Sequence, residues 1–349
     1  MTARPPTTVL VIDDSAHNRR TLKHLLESEP DVQVLDWAAD GEEGLRKVVD
    51  LRPDVVTVDL EMPRMGGYTF LRLLRSAAPT PAIVISSHSH TADVFKALEL
   101  GAFDFIARPA KTTPAALESL RVELLEKVRA ARLVRRGGAR RGPAAPRATP
   151  EWEPQEEIPF IIAVAASTGG PPAVQRLLEA LAAEPTPCVL VCQHMPSQFT
   201  RAFAERLDRI GPFHVSEAKE GDRLAAGHVY IAPGGRHMQL IERDGRLVLR
   251  TPETTSKDRY VPSADQLFES VAKTLKDKAL AVVLTGMGSD GAAGARVVHE
   301  AGGEIWAESE ETAVVFGMPQ EAISTGVVKR VLPLGEIGPA LVALARRRR

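Results

Sequence analysis

Short apolar runs that stop at a polar or glycine residue alternate with longer amphipathic stretches along most of this 349-residue chain. Such runs read as strands buried on both faces, and stretches with helical spacing read as helices. TVLVIDD, VQVLDWA, DVVTVDL, PAIVISS and AFDFIA are the runs of the N-terminal part. Between and after them lie NRRTLKHLLESEP, EEGLRKVVDLRP, TFLRLLRSAAP, HTADVFKALELG and TPAALESLRVELLEKVRAARLVRR, all at helical spacing. Strict alternation predicts a doubly wound, flavodoxin-like parallel sheet with its binding crevice beyond the carboxyl ends of the strands. The C-terminal part repeats the style. PFIIAVAAS, PCVLVCQH, HVYIAPG and ALAVVLTG are runs; GPPAVQRLLEALAAEP, FTRAFAERLDRI, SADQLFESVAKTLKD and GAAGARVVHEAG are amphipathic. MQLIERDGRLVLR predicts a hairpin about Asp244-Gly245. This half is expected to be a mostly parallel α/β domain with one antiparallel excursion.

The pattern breaks once. From Arg135 to Glu157 the chain reads RRGGARRGPAAPRATPEWEPQEE, which has almost nothing to bury and reads as a tether. We therefore expect domains at 1–130 and 158–349 joined by a flexible linker at 131–157, as the length also suggests. The basic half of the linker reads as solvated, and Arg346 to Arg349 as a frayed tail. A net charge of -1, with 44% hydrophobic and 26% charged residues, gives no electrostatic case for nucleic acid or a membrane surface. No run approaches the roughly 20 apolar residues of a membrane span, and the N-terminus lacks a signal-peptide pattern. The two cysteines, Cys188 and Cys192, give no disulfide framework and suit a reducing compartment. At four residues apart on a strand they share one face and read as core. The expectation is a soluble cytoplasmic protein with no nucleic-acid partner and no membrane insertion.

Asp13 and Asp14 end the first run, and Asp59 ends the third. Strand ends on one edge of a parallel sheet converge, so three carboxylates would share a crevice. A divalent cation relieves their repulsion, and an all-oxygen donor set suits Mg²⁺. Ser86 ends the fourth run and Arg108 follows the fifth, adding a hydroxyl and a cation. Together they suit phosphoryl transfer onto a carboxylate. An aspartate at a strand end is also a common helix N-cap, and Asp14 taken alone reads equally well that way. The set DD, DLEMPRMGG, ISS and RP, over about Val9 to Leu125, resembles a response-regulator receiver domain. That resemblance implies that Asp59 accepts a phosphoryl group from a chemotaxis histidine kinase. It implies that Asp13, Asp14, Asp59 and the Glu61 backbone carbonyl hold Mg²⁺, that Ser86 reads the phosphate, and that Phe105 is the aromatic switch. Arg108 departs from it, standing where the family usually has lysine. A planar fork replaces a compact ammonium, which bears on how phosphate couples to conformational change.

Ser167 lies in AVAASTGGPPAV, at a strand-to-helix turn where helix amides favour developing negative charge. A nucleophile and a helix N-cap fit that position equally. The window is not the G-x-S-x-G elbow of α/β-hydrolases, because Ala165 replaces the first glycine. His194 in VCQHMP and Asp290 in LTGMGSDGAAG each follow a different apolar run. Nucleophile, general base and orienter would thus meet in one crevice, in the chain order Ser, His, Asp. Phosphate binding is the rival reading of the glycine-rich loop, although no Lys-Ser/Thr follows it. The segments ASTGGP, QHMPSQFTRAFAERLD, GHVYIAPGGRHM, SADQLFESVA, LTGMGSDGAAG and TAVVFGMPQEA resemble the catalytic domain of the chemotaxis protein-glutamate methylesterases, the CheB family. The resemblance spans about Phe160 to Ile337. It implies hydrolysis of γ-glutamyl methyl esters on the methylated chemoreceptor cytoplasmic domain, with glutamine deamidation as second activity and no cofactor for the esterase. It further implies that Thr168 positions the histidine and that the Met287 amide is an oxyanion donor. Ala165 departs from the family's usual glycine. His237 either borders the substrate groove or packs. Domain order implies that phosphorylation at Asp59 gates access to Ser167. A regulator whose second domain only binds a partner stays open, as does a DNA-binding regulator, though no helix-turn-helix signal supports the latter.

Overall fold

A computed structural model of the chain describes residues 5–86, 91–109, 111–135, 158, 160–181, 187–211 and 213–348. The chain divides into two compact units, residues 1–144 and 145–349. Most of the expected linker, 136–157, lies outside the described residues.

In the first unit strands and helices alternate: β1 (Thr7–Ile12), α1 (Ala16–Leu26), β2 (Val32–Ala38), α2 (Gly41–Leu51), β3 (Val55–Val58), α3 (Gly67–Ala77), β4 (Ala82–Ser86), α4 (Thr91–Glu99), β5 (Asp104–Ala107) and α5 (Pro114–Arg135). The sheet order is β2-β1-β3-β4-β5, all parallel. The inner strands are buried along almost their whole length, as expected of a parallel sheet covered by helices on both faces. The order reverses at β1, so the crevice opens beyond the ends of β1 and β3. The C-terminal turns of α5 overlap the start of the expected linker.

The second unit contains β6 (Ile161–Ala166), α6 (Gly170–Ala180), β7 (Cys188–Gln193), α7 (Ser197–Ile210), β8 (His214–Glu217), β9 (His228–Ile231), β10 (Gln239–Arg243), β11 (Arg246–Arg250), α8 (Ala264–Leu275), β12 (Leu280–Val283), α9 (Ala292–Glu300), β13 (Glu304–Glu308), α10 (Met318–Ser324), β14 (Arg330–Leu332) and α11 (Leu334–Arg348). Seven strands in the order β14-β13-β12-β6-β7-β9-β8 form a second sheet, again parallel. Chain order reverses about β6, which lies between β7 and β12. One core cluster packs Ala163 and Ala165 of β6 and both cysteines of β7 against Phe268 and Val271 of α8. The expected hairpin is present: β10 and β11 pair antiparallel with Arg243 opposite Arg246. Asp244 and Gly245 both have positive φ, 53° and 72°, as a two-residue I′ turn requires.

Three strands and two helices lack the expected signals. β8, HVSE, has a single apolar residue and lies at the sheet edge. β13, EIWAE, has a glutamate at each end, and β14 is a three-residue edge. α10 has only seven residues, and α11 carries Pro339 inside it. Up to Arg348 the expected frayed tail is helical, and Arg349 lies outside the described residues. Arg346 and Arg347 belong to the last turn of α11, where cations complement the carbonyl end of the helix. Among the described residues no helix is long and apolar enough to cross a membrane.

Candidate functional site

The first unit brings its acidic residues together. Asp13, Asp14 and Asp59 each place a carboxylate oxygen within 4.8 Å of the others. These are hard oxygen donors, and the set can hold a divalent cation. Arg108 spans the group, its Nη2 donating to Asp13 Oδ2 at 2.6 Å and to Asp59 Oδ2 at 3.2 Å. Burial raises the Asp59 carboxyl above its ordinary value; Arg108 opposes this, and the Asp13 charge adds to it. Asp14 is exposed and is not the N-cap of α1. Ser15 takes that position, its hydroxyl accepting from the Asn18 amide, while Asp13 Oδ1 accepts from the Ser15 amide at 2.8 Å. The Glu61 amide donates to Asp59 Oδ1 at 3.3 Å. Ser86 is buried at the end of β4. Phe105 is buried edge-on to Phe95, with ring centroids 6.1 Å apart. Its carbonyl accepts from Lys127, which also pairs with Asp104 and Glu123.

In the second unit strand register positions the serine and the histidine. Ala166 and Gln193 are paired at the ends of β6 and β7, so Ser167 and His194 leave the sheet side by side. The Gln193 side-chain amide donates to both their carbonyls, at 2.9 Å to Ser167 and 3.1 Å to His194. The Ser167 amide in turn donates to Thr285 O at 3.0 Å, tying the turn to the end of β12. There is no room for a side chain on Gly286: a Cβ would stand 2.8 Å from Ser167 Cβ. Ser167 does not cap α6, whose N-cap is the left-handed Gly169 with no side-chain cap bond. Thr168 is buried beside it and Met287 is half-buried after Gly286. Ala165 is fully buried in the core cluster and keeps its pairing with Val283 and Cys192.

Asp290 arrives from the loop between β12 and α9 and is 1% exposed. Its Oδ2 meets His194 Nε2 at 2.7 Å. Asp290 also accepts from the Ser263 hydroxyl at 3.1 Å and from the amides of Ala264 and Asp265 at 2.7 and 2.9 Å. Burial opposes its charge, but the bonds from His194 and the two amides outweigh it and hold the carboxyl below its ordinary value. An ionised Asp290 makes His194 Nε2 the protonated nitrogen and leaves the Nδ1 lone pair as the base. Cys192 lies close enough for its sulfur, His194 and Asp290 to lie within 4.8 Å of one another. The four bonds Asp290 already accepts argue against a metal there. Burial pushes the Cys192 thiol well up, and the charges of Asp290 and Asp265 add to it, so it offers no thiolate nucleophile.

Sequence reasoning missed Gln193, Tyr260, Ser263 and Asp265. The Tyr260 ring stacks on His194, with centroids 5.2 Å apart and planes 7° apart. Only Gln193, adjacent to His194 at a strand end, carried a usable signal. His237 packs: it is 2% exposed, and its Nδ1 accepts from the Ser263 amide at 3.2 Å.

The comparisons with known proteins follow the same division. Residues 162–341 match the family described as CheB methylesterase, and residues 9–118 the response regulator receiver domain. A protein-glutamate methylesterase/protein-glutamine glutaminase of Myxococcus xanthus is 70% identical over the whole of both chains. The chain belongs to the CheB methylesterase family. A second CheB relative with that double name, from Geobacter sulfurreducens, is 47% identical over 96% of each chain. Among solved structures, the CheB methylesterase catalytic domain of Thermotoga maritima matches at 37% identity and TM-score 0.51, covering 53% of this chain and 98% of its own.

Proposed function

We propose that the chain is a chemotaxis protein-glutamate methylesterase and glutaminase whose esterase acts through Ser167, His194 and Asp290 and is controlled by phosphorylation of Asp59. In this reading residues 1–130 are the receiver, 131–157 the tether and 158–349 the catalytic domain. The observation that carries it is the paired end of β6 and β7: it sets Ser167 beside a histidine whose Nε2 is held by a buried carboxylate. Ser167 Oγ attacks the γ-carbonyl carbon of the methylated glutamate, and its proton passes to His194 Nδ1. Asp290 stabilises the imidazolium that results. The Met287 amide faces the oxygen that becomes negative, and Thr168 positions the imidazole. Collapse of the tetrahedral intermediate expels methoxide, which takes the proton from His194 and leaves as methanol. Water then attacks the acyl-serine with His194 again as base, and glutamate is released with Ser167 restored. A glutamine side chain follows the same course with ammonia as leaving group. No metal is needed in these steps.

In the receiver, Asp13, Asp14, Asp59 and the Glu61 carbonyl would hold Mg²⁺, which neutralises charge on the transferring phosphoryl oxygens. Ser86 and Arg108 then read the phosphate, and Phe105 carries the change. The partners are a chemotaxis histidine kinase as phosphodonor and the methylated cytoplasmic domain of a chemoreceptor as substrate, in the cytoplasm. The test is methanol release from methylated receptor fragments. Ser167→Ala is expected to lower it by roughly 10⁶-fold; release at the parental rate would overturn the nucleophile assignment.

A further inference from the structure

Residues 258–263 form the loop that enters α8, and it is built to present one ring. At its end, the Ser263 and Ala264 groups hold Asp290, and His237 accepts the Ser263 amide. His237 Nε2 in turn meets Asp258 Oδ2 at 3.3 Å, so the loop is held at both ends by one buried imidazole. Between those ends Tyr260 lies flat against His194. The Ser289 amide donates to its hydroxyl at 3.4 Å. Gly288 makes room for that hydroxyl: a Cβ there would come within 2.5 Å of it. The Asp290 hydrogen bond fixes one nitrogen of His194 but does not by itself set the plane of the ring. A second constraint, perpendicular to the ring plane, is needed to aim Nδ1.

We infer that Tyr260 is a positioning residue for His194, holding the imidazole plane and stabilising the imidazolium through its ring face. This rests on the Ser167–His194–Asp290 reading. A cation over an aromatic face is attracted by the ring quadrupole, and the attraction grows as His194 takes the serine proton. It therefore acts on the transition state more than on the ground state. Among the described residues, Asp290 from the β12–α9 loop and Cys192 from β7 face His194; Asp265 from α8 acts on Asp290, and the Arg259 guanidinium lies 5.1 Å from the Tyr260 ring centroid. The ring stacked on the imidazole is that of Tyr260.

The experiment compares the full chain with its Tyr260→Phe and Tyr260→Leu variants by methanol release from pH 5 to 9, with Ser167→Ala alongside. Tyr260→Phe keeps the ring and is expected to retain kcat within about twofold. Tyr260→Leu is expected to lower kcat by roughly 3- to 30-fold with little change in KM. It should also move the acid limb of the kcat/KM profile to lower pH, because the imidazolium loses its stabiliser. The His194 ring-proton resonances are expected to move downfield in Tyr260→Leu, where the ring current is lost, and to stay in place in Tyr260→Phe. Loss of activity in Tyr260→Leu with an unmoved acid limb and unmoved resonances would show a merely structural role and overturn the inference; so would unchanged kcat. Activity surviving in Ser167→Ala would instead remove the underlying reading, whatever Tyr260 does.

Discussion

If Asp59 is the phosphoryl acceptor proposed above, it has to be buried enough to be held in a defined pocket, yet must carry charge to accept the group. Burial raises its carboxyl above the ordinary value even with Arg108 beside it. The folded receiver therefore binds a proton there more tightly than the unfolded chain does. A group shifted upward contributes stability below its unfolded value and loses that contribution as pH rises through its folded value. At pH 7 the ionised, desolvated carboxylate is a cost, next to the Asp13 charge. Asp59→Asn is thus expected to raise the melting midpoint of the receiver transition at pH 7 by about 2–8 °C, and to leave it nearly unchanged below about pH 4. Millimolar Mg²⁺ should stabilise the parent more than the variant, since it binds the folded carboxylates. A midpoint lowered at pH 7 in Asp59→Asn would mean that the pocket favours the charge.

At the scale of elements, α8 and α9 cap each other. Asp290, just before α9, accepts the Ala264 and Asp265 amides at the start of α8. Asp265, in the first turn of α8, accepts the Gly291 and Gly294 amides at the start of α9, at 2.9 and 2.6 Å. Each aspartate satisfies amides that a helix start leaves unpaired. Burial raises the Asp265 carboxyl, the Gly294 amide opposes this, and the Asp290 charge adds to it. Asp265→Ala is expected to cost about 1–2 kcal/mol in urea unfolding of the catalytic unit. Asp265→Asn should cost less, because an amide oxygen still accepts and a like charge beside Asp290 is gone. Equal losses would show that the charge itself stabilises the pair. This reciprocal cap marks the limit of what the sequence made legible. Apolar runs announce where strands stop, so Asp13, Asp59, Ser167, His194 and Asp290 could be read from their positions at those ends. Tyr260, Ser263 and Asp265 follow no apolar run. Their roles come from contact with residues distant in the chain, as Tyr260 with His194 and Ser263 with Asp290, and nothing local encodes that. The edge strands β8 and β14 were hidden for a related reason: half-exposed strands lack the continuous apolar run that marks buried ones.

At the scale of the molecule, each unit builds its site the same way, at the carboxyl edge of a parallel sheet where chain order reverses. In the proposed reading one site takes a phosphoryl group on a carboxylate, the other an acyl group on a serine, and the chain joins them in cis. A modification in one can alter the other only if the phosphorylated receiver favours a state in which the esterase works differently. Coupling between sites is typically worth roughly 5- to 150-fold, and gating in this chain is expected within that range. The measurement is methanol release by the full chain with and without acetyl phosphate and Mg²⁺, for the parent and for Asp59→Asn. The donor should speed the parent and leave Asp59→Asn unmoved, while both retain the unstimulated rate because Ser167, His194 and Asp290 are untouched. Equal rates with and without the donor in the parent would remove the gate but leave the esterase. Stimulation that persists in Asp59→Asn would move the phosphorylation to another residue, with Asp13 and Asp14 next in reach.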